Sequence, residues 1–194
     1  RTWSHNRYIE TMRWEDKMKK VVIRKALRED IERIEEIYEE FLDYEAEHGT
    51  VTNWIKGVYP TEKNALAGLE NDTLFVGELD GKVIGSYILN HIQPDEYSKI
   101  DWKFSIDRPE DVIVIHTLCL DVKCQGLGLG KKFVNFALEY GRKIGCKVMR
   151  LDTYEFNEPA AKMYDKMGFR YAGKEKFFFE NAILENLICF KYEL

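Results

Sequence analysis

The sequence has little of what would place it in a membrane, a secretory route or a nucleic-acid complex. No apolar run in its 194 residues approaches the roughly 18 residues a membrane-spanning helix needs, so no membrane span is expected. Its first residues mix Arg, Trp, His and Asp without an apolar stretch, which predicts no secretory leader. The four cysteines (Cys119, Cys124, Cys146 and Cys189) form no C-x-x-C pair, and no clustered histidines stand beside them, so no metal site is expected. Unpaired thiols of this kind fit a reduced, cytoplasmic protein. Basic charge is also short: 29 Lys and Arg stand against 34 Asp and Glu, for a net charge of −5. A dedicated nucleic-acid binder needs a basic field to meet phosphates, so that class of partner is excluded.

What is present is an ordinary globular composition, 45% hydrophobic and 32% charged. The length suits one domain with a real core. Residues 1–17 have no clear period, whereas Met18-Lys19-Lys20 leads straight into a strand. We therefore read 1–17 as an N-terminal extension and 18–194 as a single domain. There are no internal repeats and no low-complexity stretches.

Periodicity predicts the elements. Strands are expected at 21–26, 73–79, 83–91, 112–121, 147–153, 169–179 and 183–192. Asp80-Gly81 between two apolar runs marks a hairpin. Helices are expected at 30–47, 61–71, 128–144 and 157–167, the last with Asn157 as N-cap and Pro159 in its first turn. The polar segment 92–111 is long for a connection and reads as a functional or mobile loop. The order β-α-α-β-β-β-α-β-α-β-β is neither regular βαβ alternation nor all-β. It predicts an α/β class with one mixed sheet flanked by helices.

The most informative stretch is Gln125-Gly126-Leu127-Gly128-Leu129-Gly130-Lys131, which follows an apolar strand and opens a helix. Alternate glycines bare the backbone amides, and a helix N-terminus adds unpaired N–H groups and a positive dipole end, which together suit phosphate. A Walker A loop is excluded, because three residues separate Gly126 from Gly130 and Lys132 stands where Ser or Thr should be. A dinucleotide G-x-G-x-x-G loop is excluded by Lys131. What remains, Q-x-x-G-x-G, resembles the pyrophosphate loop of the GCN5-related N-acetyltransferases (GNAT). Downstream, Leu151-Asp152-Thr153 and then Asn157 to Tyr164 and Gly168-Phe169 are similar to that family's N-x-x-A-x-x-x-Y-x-x-x-G-F segment. Upstream, Leu118-Cys119-Leu120 resembles the end of its fourth strand. The resemblance covers roughly residues 20–192.

It implies the GNAT fold, with a central mixed sheet that splays between its fourth and fifth strands. It also implies acetyl-CoA as cosubstrate and direct acetyl transfer to the primary amine of a small molecule or peptide. Gln125, Gly126, Gly128, Gly130 and Lys131 would meet the pyrophosphate. Leu118 and Leu120 would offer backbone groups to the pantetheine arm. Asn157 would contact that arm as well as capping its helix, and Ala161, with Ala160, would let the cofactor pack closely. Tyr164 matches the motif tyrosine, and a phenol with pKa about 10 can protonate a departing thiolate. His116, in an apolar strand, is the first candidate for general base, with Glu78 or a water path as alternatives. Cys119 reads as an apolar filler, so no acyl-enzyme is expected.

Tyr38, Tyr44, Trp54, Tyr59, Tyr97 and Trp102, with the acidic 92–111 loop, suggest an aromatic, acid-rimmed amine pocket. Homodimers are common in such proteins, and this sequence is silent on that point. Two other readings remain open: a non-catalytic acyl-CoA sensor or interaction module on the same fold, and an ATP-binding protein using the glycine loop.

Overall fold

The computed structural model describes residues 15–194. Of the extension expected at 1–17, residues 1–14 lie outside the described residues. Just after it, Met18 packs against the core and its carbonyl accepts from Lys132 Nζ at 2.6 Å.

Seven strands form one sheet. In chain order they are β1 (Val22–Lys25), β2 (Leu74–Leu79), β3 (Lys82–Asn90), β4 (Val112–Leu120), β5 (Val148–Tyr154), β6 (Arg170–Phe179) and β7 (Ile183–Glu193). The helices are α1 (Ile31–His48), α2 (Glu62–Glu70), α3 (Leu129–Lys143) and α4 (Glu158–Lys166). The spatial order is β1-β2-β3-β4-β5-β7-β6. All neighbours run antiparallel except β4 and β5.

The helices cover the sheet because their apolar residues recur at helical spacing. Phe133, Val134, Ala137 and Leu138 of α3 are buried against Ile113, Met149 and Leu151 of the central strands. Gly77 and Gly85 are bare where the Phe133 ring crosses them, since a Cβ at Gly77 would stand 2.6 Å from that ring. On another part of the sheet, Ile31, Ile34, Ile37 and Tyr38 of α1 pack with Val76, Val83 and Cys119.

The 92–111 segment, expected to be functional or mobile, is packed into the core and sends Pro94 and Glu96 to the cavity described below. Tyr97, Ile100 and Trp102 are buried with Val112, Val114 and Val148 in a third core cluster. Trp102 Nε1 donates to the Tyr97 carbonyl at 2.9 Å, and the Arg150 guanidinium lies 4.4 Å from the centre of the Trp102 ring. Asp111 ties the segment's end by accepting from the Asp107 and Arg108 amides. The loop is polar in composition because its aromatics, spaced irregularly, carry the packing.

The feature that positions the site is a gap. β4 and β5 pair only at Val112–Val148, Ile113–Met149 and Val114–Arg150. Beyond these, both strands continue without pairing to each other. A bulge helps part them: Ser86 pairs Cys119 and Ile88 pairs His116, so Tyr87 faces both Thr117 and Leu118. Thr117 takes φ +52, a conformation that costs a β-branched residue about 1–3 kcal/mol. The Tyr59 hydroxyl bonds Thr117 Oγ1 and holds it there.

Candidate active site

The gap opens into a cavity of about 1000 Å³. Ile115 to Leu118 and Leu120 line one wall, and Leu151 to Tyr154 line the facing one. At one end lies the glycine loop. Gly126 and Gly128 have φ +73 and +82, and a Cβ at either would meet nothing, so backbone conformation rather than space demands glycine there. At Gly130 the reason is proximity, since a Cβ would stand 3.3 Å from Met163 Sδ of α4.

The first amide of α3 with an acceptor in its own turn is Lys132, bonded to the Gly128 carbonyl at 3.2 Å. The amides before it point out of the helix start, and Lys131 adds a formal charge at the same place. Asp121 braces the approach to this loop. Its side chain accepts from the Lys123 amide at 2.9 Å and pairs with Arg33 of α1 at 2.8 Å.

Gln125, Gly126, Gly128, Gly130, Lys131, Leu118, Leu120, Asn157, Tyr164 and His116 all line this one cavity. Ala161 does not line it, whereas Ala160 does; both are partly buried and pack against the same core cluster. The motif alone does not choose between the two neighbours. Asn157 caps α4, its Oδ1 accepting from the Ala160 amide at 3.2 Å. Tyr164 is buried beside Phe169 and Phe190, and burial and the nearby Asp152 charge raise its phenol well above the usual range. It stays protonated at neutral pH.

The base candidates fare differently. Glu78 lies on β2 in an ion pair with Arg24 and does not line the cavity. His116 Nε2 faces two oxygens, Asn90 Oδ1 at 2.7 Å and the Ile92 carbonyl at 3.0 Å. Asn90 Oδ1 also accepts from the Ile92 amide. Two acceptors fix the proton on Nε2 and leave Nδ1 as the basic atom. Burial then lowers the ring's pKa to about 4, so it is a weak base at neutral pH.

Two carboxylates that the sequence did not single out as acids or bases lie in the same cavity. Asp152 of β5 accepts from the Tyr97 hydroxyl at 2.7 Å. Burial raises its pKa to about 6, partly offset by that hydrogen bond. Glu185 of β7 is 6% exposed, and burial raises its pKa to about 7. Of the aromatics expected around an amine, Tyr44, Trp54 and Tyr59 line the cavity, while Tyr38, Tyr97 and Trp102 are core. From the acidic loop only Pro94 and Glu96 reach the cavity. Cys119 is buried under α1, and its thiol is pushed well up by desolvation.

A glycine turn at a helix start beside a parted strand pair has known counterparts. The profile of the acetyltransferase (GNAT) family matches residues 28–169, more than half of the chain. The chain belongs to the GNAT acetyltransferase family. A GNAT acetyltransferase structure from Streptococcus agalactiae superposes with a TM-score of 0.74 at 20% identity, over 90% of this chain and 95% of that one. The Salmonella typhimurium protein yncA, solved with its cofactor acetyl-CoA, superposes at 0.64 with 20% identity, over 90% and 94%. An uncharacterised N-acetyltransferase of Methanocaldococcus jannaschii is 24% identical over 153 residues, 78% of this chain and 62% of that protein. A mycothiol acetyltransferase of Thermomonospora curvata is 30% identical over 100 residues, 51% of this chain and 28% of that protein. The chain thus spans less than two thirds of the length of either relative. Among the described residues no helix is long and apolar enough to cross a membrane.

Proposed function

We propose that this protein is an acetyl-CoA-dependent N-acetyltransferase that moves the acetyl group directly to a primary amine of a small molecule or peptide. The observation that carries the reading is the continuity of the cavity. One space joins the Gln125–Lys131 loop, the β4–β5 gap and a carboxylate-bearing pocket. The residues present suit the cosubstrate: bare amides at a helix start for the pyrophosphate, and free strand edges for an amide-bearing arm. Acetyl-CoA supplies the activated acyl carbon and a thiolate leaving group.

The chain's own groups divide the remaining work. Backbone N–H groups at the Thr117–Leu118 bulge would polarise the thioester carbonyl. Asp152, half-titrated at about pH 6, suits the task of accepting the amine proton better than His116 does. His116 instead fixes Asn90 and Ile92 at the mouth of β3. Tyr164 would donate to the departing sulfur. The raised thiols of Cys119 and Cys124 argue for direct transfer without an acyl-enzyme. All four cysteines are free and buried, which a reducing, cytoplasmic setting suits.

The test is CoA release from acetyl-CoA across a panel of primary amines, with wild type and Tyr164→Phe. Turnover that the variant loses by about 100-fold or more supports the reading. Acetyl-CoA binding with no turnover on any amine would favour the sensor or interaction module instead.

A further inference from the structure

The acceptor end of the cavity contains more negative charge than one amine requires. Five carboxylate side chains line the cavity (Glu45, Glu96, Asp152, Glu180 and Glu185), against Lys131 alone among lysines and arginines, at the phosphate end. Four of the five are accounted for. Glu45 is saturated by its own chain, accepting from the Val51 and Thr52 amides and the Thr52 hydroxyl. Asp152 holds the Tyr97 hydroxyl. Glu180 is exposed and Glu96 half-exposed, where water satisfies them.

Glu185 is different. It is 6% exposed, and its Oε2 is buried without a hydrogen-bond partner among the described residues. Asn53 supports the carboxylate from one side, and the Asp152 charge opposes its ionisation. Once ionised, a carboxylate oxygen buried in this way needs a donor, and a cation is the strongest one. The walls are aromatic: the rings of Phe41, Trp54, Tyr59 and Phe179 follow one another with centroids 5.8, 5.6 and 5.2 Å apart, the first pair tilted and the other two edge to face. Such faces also favour a positive group.

Register separates Glu185 from the reacting centre. Cys189 pairs with Asp152 and Leu187 with Tyr154, so Glu185 lies one step further along the same face of β7. That is four residues from the Asp152 position, about 13 Å along the strand. The two carboxylates are therefore presented from different points along the cavity wall.

We propose that Glu185 binds a second cationic group of the acceptor, so that the preferred substrate is a diamine, or an amine with a comparable distal cation, rather than a monoamine. Asp152 receives the amine that is acetylated, and Glu185 receives the distal charge. This rests on the acetyltransferase reading above for which amine reacts, but the cation site itself does not depend on turnover.

The experiment is a calorimetric titration at pH 8 into protein saturated with CoA. The probes are 1,5-diaminopentane against pentylamine and 1,8-diaminooctane against octylamine. The expected result is at least tenfold tighter binding of the diamine in one of the pairs. Glu185→Gln, a near-isosteric change, should remove that preference and leave the monoamine within twofold. Glu180→Gln should change neither. Equal or undetectable binding of diamine and monoamine in both pairs overturns the proposal, as does a preference that survives Glu185→Gln. A transfer assay on the same amines separates the two readings. Diamine preference without acetylated product removes the transfer reading and leaves the cation site. Acetylated product with no preference does the reverse.

Discussion

The two ends of the cavity are built from different material. The end assigned to the pyrophosphate is backbone: glycines at positive φ, the open start of α3, and a turn braced by Asp121. The end assigned to the acceptor is side chains: Glu45 from α1, Trp54 and Tyr59 from the α1–α2 connection, Asp152 from β5 and Glu185 from β7. The first end is contiguous in sequence and rests mainly on backbone, with Gln125 and Lys131 as its polar side chains. The second is gathered from segments far apart in the chain, on two of which, β5 and β7, the carboxylate side chains can change without altering the strand backbone. A shared cosubstrate with a variable acceptor needs this division.

The variant with the largest expected effect breaks the backbone end alone. Gly128→Glu forces a side chain onto φ +82 and sets a negative charge against the pyrophosphate. Acetyl-CoA affinity should fall by about 100-fold or more, as read by calorimetry, with the far-ultraviolet circular dichroism unchanged. Lys131→Glu, which is free of backbone strain, should reproduce the direction with a smaller loss, about tenfold. Equal losses of amine binding in these variants would mean the ends are not separable.

At the acceptor end, Asp152→Asn should lower kcat by about 100-fold and leave acetyl-CoA affinity within threefold. The pH profile sharpens the assignment. Below about 6 Asp152 carries its proton and cannot accept another, so kcat/KM should drop about tenfold per pH unit on that side. Tyr59, Tyr97, Glu96, Tyr164, Cys189 and Glu185 all interact with this carboxyl, and burial brings Glu185, at about 7, into the same range. Measuring the profile in the Glu185→Gln background with a monoamine acceptor removes that second titration. The acid limb should vanish in Asp152→Asn. A limb near 4 that persists would return the role of base to His116.

These residues cost stability to keep. Both carboxyls have folded-state pKa values raised above the ordinary carboxylate range, to about 6 and about 7. The folded state therefore holds protons that the unfolded chain has released. Stability falls as pH rises from about 4 through these values, and the whole penalty is present at pH 8. Asp152→Asn and Glu185→Gln should each stabilise the protein at pH 8 by about 1 kcal/mol, after allowance for water at the cavity mouth, and by much less at pH 4. Denaturant unfolding at the two pH values measures this.

The smallest effect is expected of the thiol that lines the cavity. Cys124 lines the cavity, yet burial raises its pKa, so Cys124→Ala should keep kcat within twofold. A large loss would bring back a covalent step.

The same contrast explains what the sequence could tell. Strand and helix limits were legible within about two residues, because β4 is a continuous apolar run and α3 repeats its apolar residues every three or four positions. The glycine loop and Asn157 were legible because local rules dictate them: φ at Gly126 and Gly128, a cap at Asn157. The acceptor end was not. Asp152 was in plain view inside a recognised segment, but its pKa is raised by burial, and the one hydrogen bond that opposes the rise comes from Tyr97, 55 positions away in a loop that reads as polar. Glu185 pairs with Phe177 of β6 in a strand of alternating residues, and its place beside the cavity follows from the register of its same-face neighbours Leu187 and Cys189 with β5. The choice of Ala160 over Ala161 depends on the rotation of α4, which a motif does not encode.

The most direct test follows backbone amide signals of isotope-labelled protein during titration with acetyl-CoA. The account predicts the largest shifts at Gln125–Lys131 and along both edges of the β4–β5 gap, with Glu185 and Trp54 moving little until an amine is added. Shifts confined to the acceptor end, or none at the glycine loop, would contradict it.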